Sequence, residues 1–167
     1  MPKEKQDKKE KSIDKLKVNY TKLQKKYSLP SFDDLNEEFS IEKVADHETE
    51  YLLREVRRMV AEKVFNYLRT VETLINPTNA PMFVFSIVKS LKENDKKTLT
   101  DIYKELAKNE LELIKLDLKY SEEKEAEFIK KAYKVWEKNS KILLGIIDSV
   151  EKNWDAKSEL SGKSYFG

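Results

Sequence analysis

The sequence predicts an all-α fold, a single-domain helical bundle with two long amphipathic helices and three or four shorter ones. Only three glycines and four prolines occur in 167 residues, so the chain has few breaks. Charged residues make up 38% of the chain and apolar residues 39%, a composition that suits helices with charged outer faces. Apolar residues recur at helical spacing over long stretches, whereas β-branched runs between turns are scarce.

We expect the chain to divide into a disordered arm over residues 1–10, a helical bundle domain over 11–154 and a flexible tail over 155–167. Residues 1–10 alternate lysine with acidic and amide side chains and contain no large apolar residue after Met1. Such a segment has no apolar surface to bury, which is typical of disorder. The tail is polar until its last four residues.

A proline separates the first two predicted helices. The first helix begins near Lys11 and carries an apolar seam with intervals of three and four residues. Its members are Ile13, Leu16, Tyr20, Leu23 and Tyr27. Pro30 ends this helix, because the residue before a proline avoids the α region. Ser31 then caps a short second helix with an acidic first turn. The inner face of the second helix carries Phe32, Leu35 and Phe39.

The next helix is long, from about Glu48 to Ile75, and its apolar residues repeat at the period of an α-helix. Its predicted core side consists of Leu53, Val56, Val60, Val64, Tyr67, Val71 and Leu74. Turn-forming residues between Asn76 and Pro81 break this helix.

The most apolar segment follows Pro81 and reads Met-Phe-Val-Phe-Ser-Ile-Val. Its composition also suits a strand, but nothing else in the chain offers a strand for pairing. We therefore predict a short, fully buried central helix over residues 81–92, with Phe85 in the core.

Two further helices complete the predicted bundle. After a loop over residues 93–97, a helix from about Thr98 to Tyr120 turns inward Leu99, Ile102, Tyr103, Leu106, Leu113 and Ile114. Ser121 caps the last helix, whose seam extends over roughly 30 residues. The seam consists of Ile129, Tyr133, Trp136, Ser140, Leu143, Ile147, Val150 and Trp154. A seam of this length predicts an equally long neighbour, either the 48–75 helix or a second copy of the protein.

The chain has four arginines among its 33 basic residues, and all four lie in the 48–75 helix. They are Arg54, Arg57, Arg58 and Arg69, and at 100° per residue they fall within ~120° of the circumference. A guanidinium group forms bidentate hydrogen bonds with carboxylates and phosphates, and an ammonium group does not. We therefore predict a candidate binding face opposite the apolar side. Two aromatic residues, Tyr51 and Phe65, lie near it as possible anchors.

The alternative interpretation of these arginines is an ion-pair face within the bundle. Glu62 and Glu72 lie on the same helix, and acidic residues of another helix would complete the pairs. Exposed pairs of this kind contribute about 0–1 kcal/mol each. Buried or bidentate pairs would explain the choice of arginine better.

The net charge of +2 conceals an uneven distribution. Residues 1–29 hold ten lysines and four acidic residues, whereas residues 30–50 hold eight acidic residues and only Lys43. A lysine-rich arm of this kind could bind a nucleic-acid backbone. Acidic residues interrupt it, however, so a solvated helix face or a contact with the acidic segment is the alternative.

Several classes of chemistry lack their residues. The chain has no cysteine and one histidine, His47, so disulfide, thiolate and zinc-finger chemistry are excluded and no metal site is expected. No Gly-rich phosphate loop, serine nucleophile motif or isolated carboxylate pair occurs, so we expect no enzyme, no cofactor and no small-molecule substrate. No run approaches 18 apolar residues, so we expect no membrane association.

A second candidate site is the apolar pair Tyr165 and Phe166 at the end of the polar tail. Such a pair could insert into a partner's pocket as a short linear motif. The alternative is that it packs on its own bundle or is frayed.

These observations favour a non-catalytic, cytoplasmic binding or scaffold protein that acts through helix faces and flexible ends. Its partner is expected to be a protein, in a hetero- or homo-oligomer. The alternative is a nucleic-acid or ribonucleoprotein-associated factor that uses the lysine-rich arm and the face of Arg54, Arg57 and Arg58.

Overall fold

The computed structural model describes residues 2–46, 49–78 and 80–161, with side chains described from 10 to 153 outside those gaps. Within them the protein is all-α, with seven helices and no strand. Six are α-helices: α1 (Pro2–Tyr27), α2 (Phe32–Phe39), α3 (Leu52–Ile75), α4 (Met82–Ser90), α5 (Glu93–Leu118) and α6 (Glu122–Ser161). A 3₁₀ helix, Ile41–Asp46, follows α2. The predicted fold class is confirmed.

The chain forms two compact units, and the division into an arm, a bundle domain over residues 11–154 and a tail stays a prediction. The first unit consists of Met1–Phe65 and Asn109–Lys134, and the second of Asn66–Lys108 and Val135–Gly167. Each boundary falls inside α3, α5 or α6. No linker composition marks such boundaries, so the sequence gives no sign of them.

Helix α1 begins at Pro2, so the structure places most of the arm predicted as disordered inside a helix. Lysine, glutamate and glutamine are good helix formers, which makes this extension physically reasonable. Leu16 and Tyr20 are buried in the first unit, and the Tyr20 hydroxyl donates to the Pro30 carbonyl over 2.8 Å. The helix ends at Tyr27, and the next residue, Ser28, adopts φ 53°.

Helix α2 confirms its predicted cap and core. The Asp34 backbone N–H donates to Ser31 Oγ over 3.0 Å, which satisfies one of the free amides at the helix start. Its buried side chains are the three predicted ones, Phe32, Leu35 and Phe39. Both α1 and α2 contact the 3₁₀ helix.

Helix α3 buries six of the seven predicted core residues. The exception is Tyr67, which is exposed and lies edge-on to the indole of Trp136 with ring centroids 4.8 Å apart. Trp136 itself is buried in the second unit, as predicted.

Helix α4 is not the fully buried central helix that the sequence predicted. Of its large apolar residues only Val84 is fully buried, while Phe85 is 36% exposed. The prediction failed because a helix with apolar side chains at nearly every position does not show which side has a neighbour.

Helices α5 and α6 differ from prediction in start and phase. Helix α5 includes the predicted 93–97 loop, because Asp95 Oδ2 accepts from the Lys92 N–H over 3.2 Å at its start. Ile114 is exposed and Leu116 is buried instead. Helix α6 buries Ile146 and exposes Ile147, contrary to prediction. The side chain of Trp154 lies outside those described.

Candidate functional site

Arg57 is buried in the first unit, which corrects the prediction that it lies opposite the apolar side of α3. Its exposed fraction is 2%. Arg57 follows Leu53 by four residues and precedes Val60 by three, so it belongs to the apolar side by spacing. Its position was therefore readable from the sequence.

Two carboxylates from other segments neutralise the buried Arg57. Its Nε donates to Glu125 Oε2 over 2.7 Å, and its Nη2 donates to Asp117 Oδ1 over 2.8 Å. Asp117 lies near the end of α5, and Glu125 lies in the first turn of α6, where a negative charge is favourable. Arg57 therefore fits the alternative interpretation, in which the arginines form ion pairs within the protein.

Arg54 extends this cluster toward the surface. Its Nε lies 3.6 Å from Glu125 Oε1, and both atoms are buried without a hydrogen-bond partner. Its guanidinium lies over the ring of Tyr120, 4.7 Å from the centroid, and 5.8 Å from that of Tyr51. Burial, followed by the carboxylates of Glu122 and Glu125, raises the pKa of Tyr120. The predicted aromatic residue Tyr51 is thus placed beside Arg54.

The remaining members of the predicted face take no part in this cluster. Arg58 is exposed, and its Nη1 donates to Glu55 Oε1 over 2.8 Å. Phe65 is buried in the first unit, while Arg69 is exposed in the second. Within the first unit, the structure therefore does not bring Arg54, Arg57 and Arg58 together as one recognition face. The cluster around Arg57 can hold helices together, because the guanidinium of Arg57 already donates hydrogen bonds to Glu125 and Asp117.

A groove of about 960 Å³ lies beside α1 in the first unit. Leu16 and Val44 are among its apolar lining residues, and three lysines of α1 also line it. These groove lysines are Lys11, Lys15 and Lys22. Glu50 and Glu122 are also part of its lining, so the groove is not uniformly basic.

Glu122 joins the end of α1 to the start of α6. Its Oε1 accepts from the Tyr27 hydroxyl over 2.7 Å and from Lys26 Nζ over 3.0 Å. These hydrogen bonds, that from Tyr27 first, hold the pKa of the Glu122 carboxyl below its usual value.

The second unit carries an apolar surface on α4 that the sequence placed in the core. Met82 is 82% exposed, Phe83 59% and Phe85 36%. We call these three residues the α4 patch. At 100° per residue, Met82 lies between the two phenylalanines on the side of α4 opposite Val84.

Two predicted features lie outside the residues that the structure describes. One is His47, at which the sequence predicted no metal site. The other is the candidate tail motif, Tyr165 and Phe166. Among the described residues, no group of three or more His, Asp or Glu side chains is placed to hold a metal ion. No described helix combines the length and apolar character needed to span a membrane.

Comparison of the chain with protein-family models, with curated proteins and with solved structures finds no match.

Proposed function

We propose that this protein is a non-catalytic binding protein that holds a protein partner through the α4 patch. The observation that carries the proposal is the exposure of Met82 and Phe83 at adjacent positions, 82% and 59%. Single exposed apolar residues are ordinary, but a group of large ones on one short helix indicates an interaction site.

The chemistry of the patch defines its partner. Methionine and phenylalanine are enriched at the centres of protein interfaces, where charged residues are depleted. No charged residue occurs between Pro81 and Val88. The partner is therefore expected to present an apolar surface, such as the apolar side of an amphipathic helix, and to bind with little dependence on salt.

The proposal is tested with Phe83→Ser in full-length protein. The matched control is Val18→Ser, which alters an exposed apolar residue of α1 in the first unit. Both variants and the wild type are used as bait in nuclease-treated extract of the native host, and their thermal unfolding is compared. A partner held by wild type and control, but lost by Phe83→Ser with unchanged unfolding, supports the proposal.

Two results would contradict this proposal. Recovery of the same partners by Phe83→Ser would show that the α4 patch is not their site. A large fall in the melting temperature of that variant would show that Phe83 packs within the protein.

A second candidate function, nucleic-acid binding, is favoured by the three groove lysines. Lys11 and Lys15 are four residues apart and Lys22 is seven further on, so one face of α1 presents all three. Arg57 gives this function no support, because its guanidinium is buried and paired. The acidic residues Glu50 and Glu122 in the same lining also oppose an anionic ligand.

Salt dependence tests the second candidate with a labelled single-stranded oligonucleotide. Glutamine at all three groove lysines should reduce the slope of log K against log salt by about 2. Lys124, Lys134 and Lys141, exposed on α6, replaced together by glutamine make a control with the same loss of charge. Equal effects of the two triple variants would show that the binding is a nonspecific effect of net charge.

A further inference from the structure

We propose that the outer face of α5 in the first unit is a self-association surface on which a second copy of the chain docks in parallel orientation. Three apolar side chains lie on this face. Leu111 is 65% exposed, Ile114 53% and Leu118 83%. We call them the α5 stripe. The inference does not depend on the α4 patch, which belongs to another helix and to the second unit.

The stripe has the spacing of a short two-stranded seam. Its members are three and then four residues apart, which is the a–d–a pattern of parallel helix pairs. The residues beside it are charged: Glu110 and Asp117 along one edge, and Lys115 along the other. A seam bounded so closely by charge is narrow, and a narrow seam fits one partner helix better than several.

The core of the first unit leaves the stripe free for a partner. The side of α5 that faces the core buries Asn109 and Leu116. The stripe lies on the opposite side of the helix, since Leu111 and Leu116 differ by 500°, or about 140° around the axis. Leu111, Ile114 and Leu118 therefore add apolar surface beyond what the core uses.

The charges at the two edges indicate the identity and direction of the partner. A two-fold axis parallel to α5 places the acidic edge of one copy against the basic edge of the other. Glu110 then faces Lys115 of the partner subunit, five positions further along, which is the usual spacing of charge pairs between parallel helices. An antiparallel two-fold pair would instead oppose acid to acid and lysine to lysine. The surface is thus complementary to itself in one orientation.

The stripe is short, so the dimer should be weak. Stable interfaces bury ~1,600 Å² in total, and three side chains per copy provide less than that. We therefore expect a monomer at low concentration that dimerises reversibly as concentration rises.

Sedimentation equilibrium of the full-length chain over a range of concentrations tests this inference. Ile114→Ser should raise the dissociation constant of the dimer about tenfold or more. Leu118→Ser is a second variant, at a more exposed position, in case the first affects folding. Val18→Ser is the control and should leave the constant unchanged. A chain that stays monomeric at every concentration, or a dimer unaffected by both stripe variants, would overturn the proposal.

Charge exchange tests the orientation. Glu110→Lys alone and Lys115→Glu alone should each weaken the dimer about two- to fivefold, because each places like charges in opposition. The two changes together should restore it, since they exchange the edges and keep them complementary. If the double variant dimerises no better than the single variants, the parallel pair is ruled out. The capture experiment with Phe83→Ser concerns the α4 patch and has no bearing on these dimerisation results.

Discussion

Arg57 and Glu125 form a buried ion pair, with Nε and Oε2 2.7 Å apart and exposed fractions of 2% and 0%. Two charges removed from water at this depth are tolerable only when each is paired. Asp117 provides the second acceptor for Arg57, and Arg54 provides a second positive charge near Glu125. Arg54 and Arg57 thus balance the charges of Asp117 and Glu125 within the first unit.

Breaking this pair should destabilise the first unit. Arg57→Met leaves Glu125 charged and without its hydrogen-bond donor, so the free energy of unfolding should fall by roughly 3 kcal/mol. Arg58→Met is the matched control on the same helix. Its guanidinium is exposed and pairs with Glu55, so the change should cost under about 1 kcal/mol. Urea unfolding followed by circular dichroism measures both.

Removing both charges should recover most of the loss. Arg57→Met combined with Glu125→Leu replaces the pair by apolar side chains, which in other buried pairs is close to neutral. A double variant no more stable than Arg57→Met alone would show that Asp117 and Arg54 also depend on the pair.

Asn109→Leu should stabilise the protein by about 1 kcal/mol. Asn109 is buried, and its side-chain amide nitrogen and oxygen have no hydrogen-bond partner. A buried amide of this kind costs ~1–3 kcal/mol, and leucine removes that cost at the expense of some added volume. Thermal unfolding of the variant is the measurement.

Asn139→Leu is the matched control for Asn109→Leu. Asn139 is equally buried, but its Nδ2 donates to Glu105 Oε2 over 3.1 Å. This change should therefore destabilise the protein, because it removes a donor from a partly buried carboxylate. If both leucine variants shift the melting temperature in the same direction, the hydrogen bonding of the asparagine does not determine the effect of its replacement.

The link between α1 and α6 should weaken in acid. Hydrogen bonds from Tyr27 and Lys26 lower the pKa of Glu122 in the folded protein. A carboxyl with a lowered pKa contributes stability that is present above its unfolded pKa, about 4.3. That contribution is lost as pH falls through the lowered folded value. Glu122→Gln should therefore lose less stability than wild type between about pH 6 and about pH 3.

Urea unfolding at a series of pH values checks the role of Glu122, with Tyr27→Phe as a partial variant. Removing only the hydroxyl donor should give a pH dependence between those of wild type and Glu122→Gln. Parallel profiles for all three proteins would contradict the assignment of this pH dependence to Glu122.

Gly145→Ala should raise the free energy of unfolding by about 0.5–1 kcal/mol. Glycine inside a helix is less favourable than alanine by that amount, mainly because the unfolded chain has more conformations to lose with glycine than with alanine. A Cβ at Gly145 meets no atom within 4 Å apart from its chain neighbours and the nearby backbone of its own helix, and the position is exposed on α6. Chemical denaturation measures the effect, and a destabilised variant would contradict the open surroundings of this glycine.

The parts of the fold that depend on neighbours in sequence were predictable. The Ser31 cap and the buried face of α2 follow from residues at most eight positions apart, and the structure confirms both. The end of α1 before Pro30 is equally local. The carboxylates of Arg57 come instead from 60 and 68 positions away, and no local pattern indicates such a pairing.

The phase of α6 was ambiguous for a different reason. At two turns of this helix, neighbouring residues are alike in character: Asn139 with Ser140, and Ile146 with Ile147. Either member of each pair fits a seam, and the structure buries Asn139 and Ile146. The α4 patch shows the same limit, because a segment that is apolar on all sides has no periodicity to indicate its exposed side.

The buried arginine also has a consequence for synthesis of the chain on the ribosome. Arg57 is made 60 residues before Asp117 and 68 before Glu125. At 5–20 residues per second, Arg57 precedes Asp117 by roughly 3 to 12 s and Glu125 by roughly 3 to 14 s. Throughout that interval the nascent first unit lacks the partners that let Arg57 leave water, so its core cannot close around this residue. The buried pair thus delays completion of the first unit until the start of α6 has been translated.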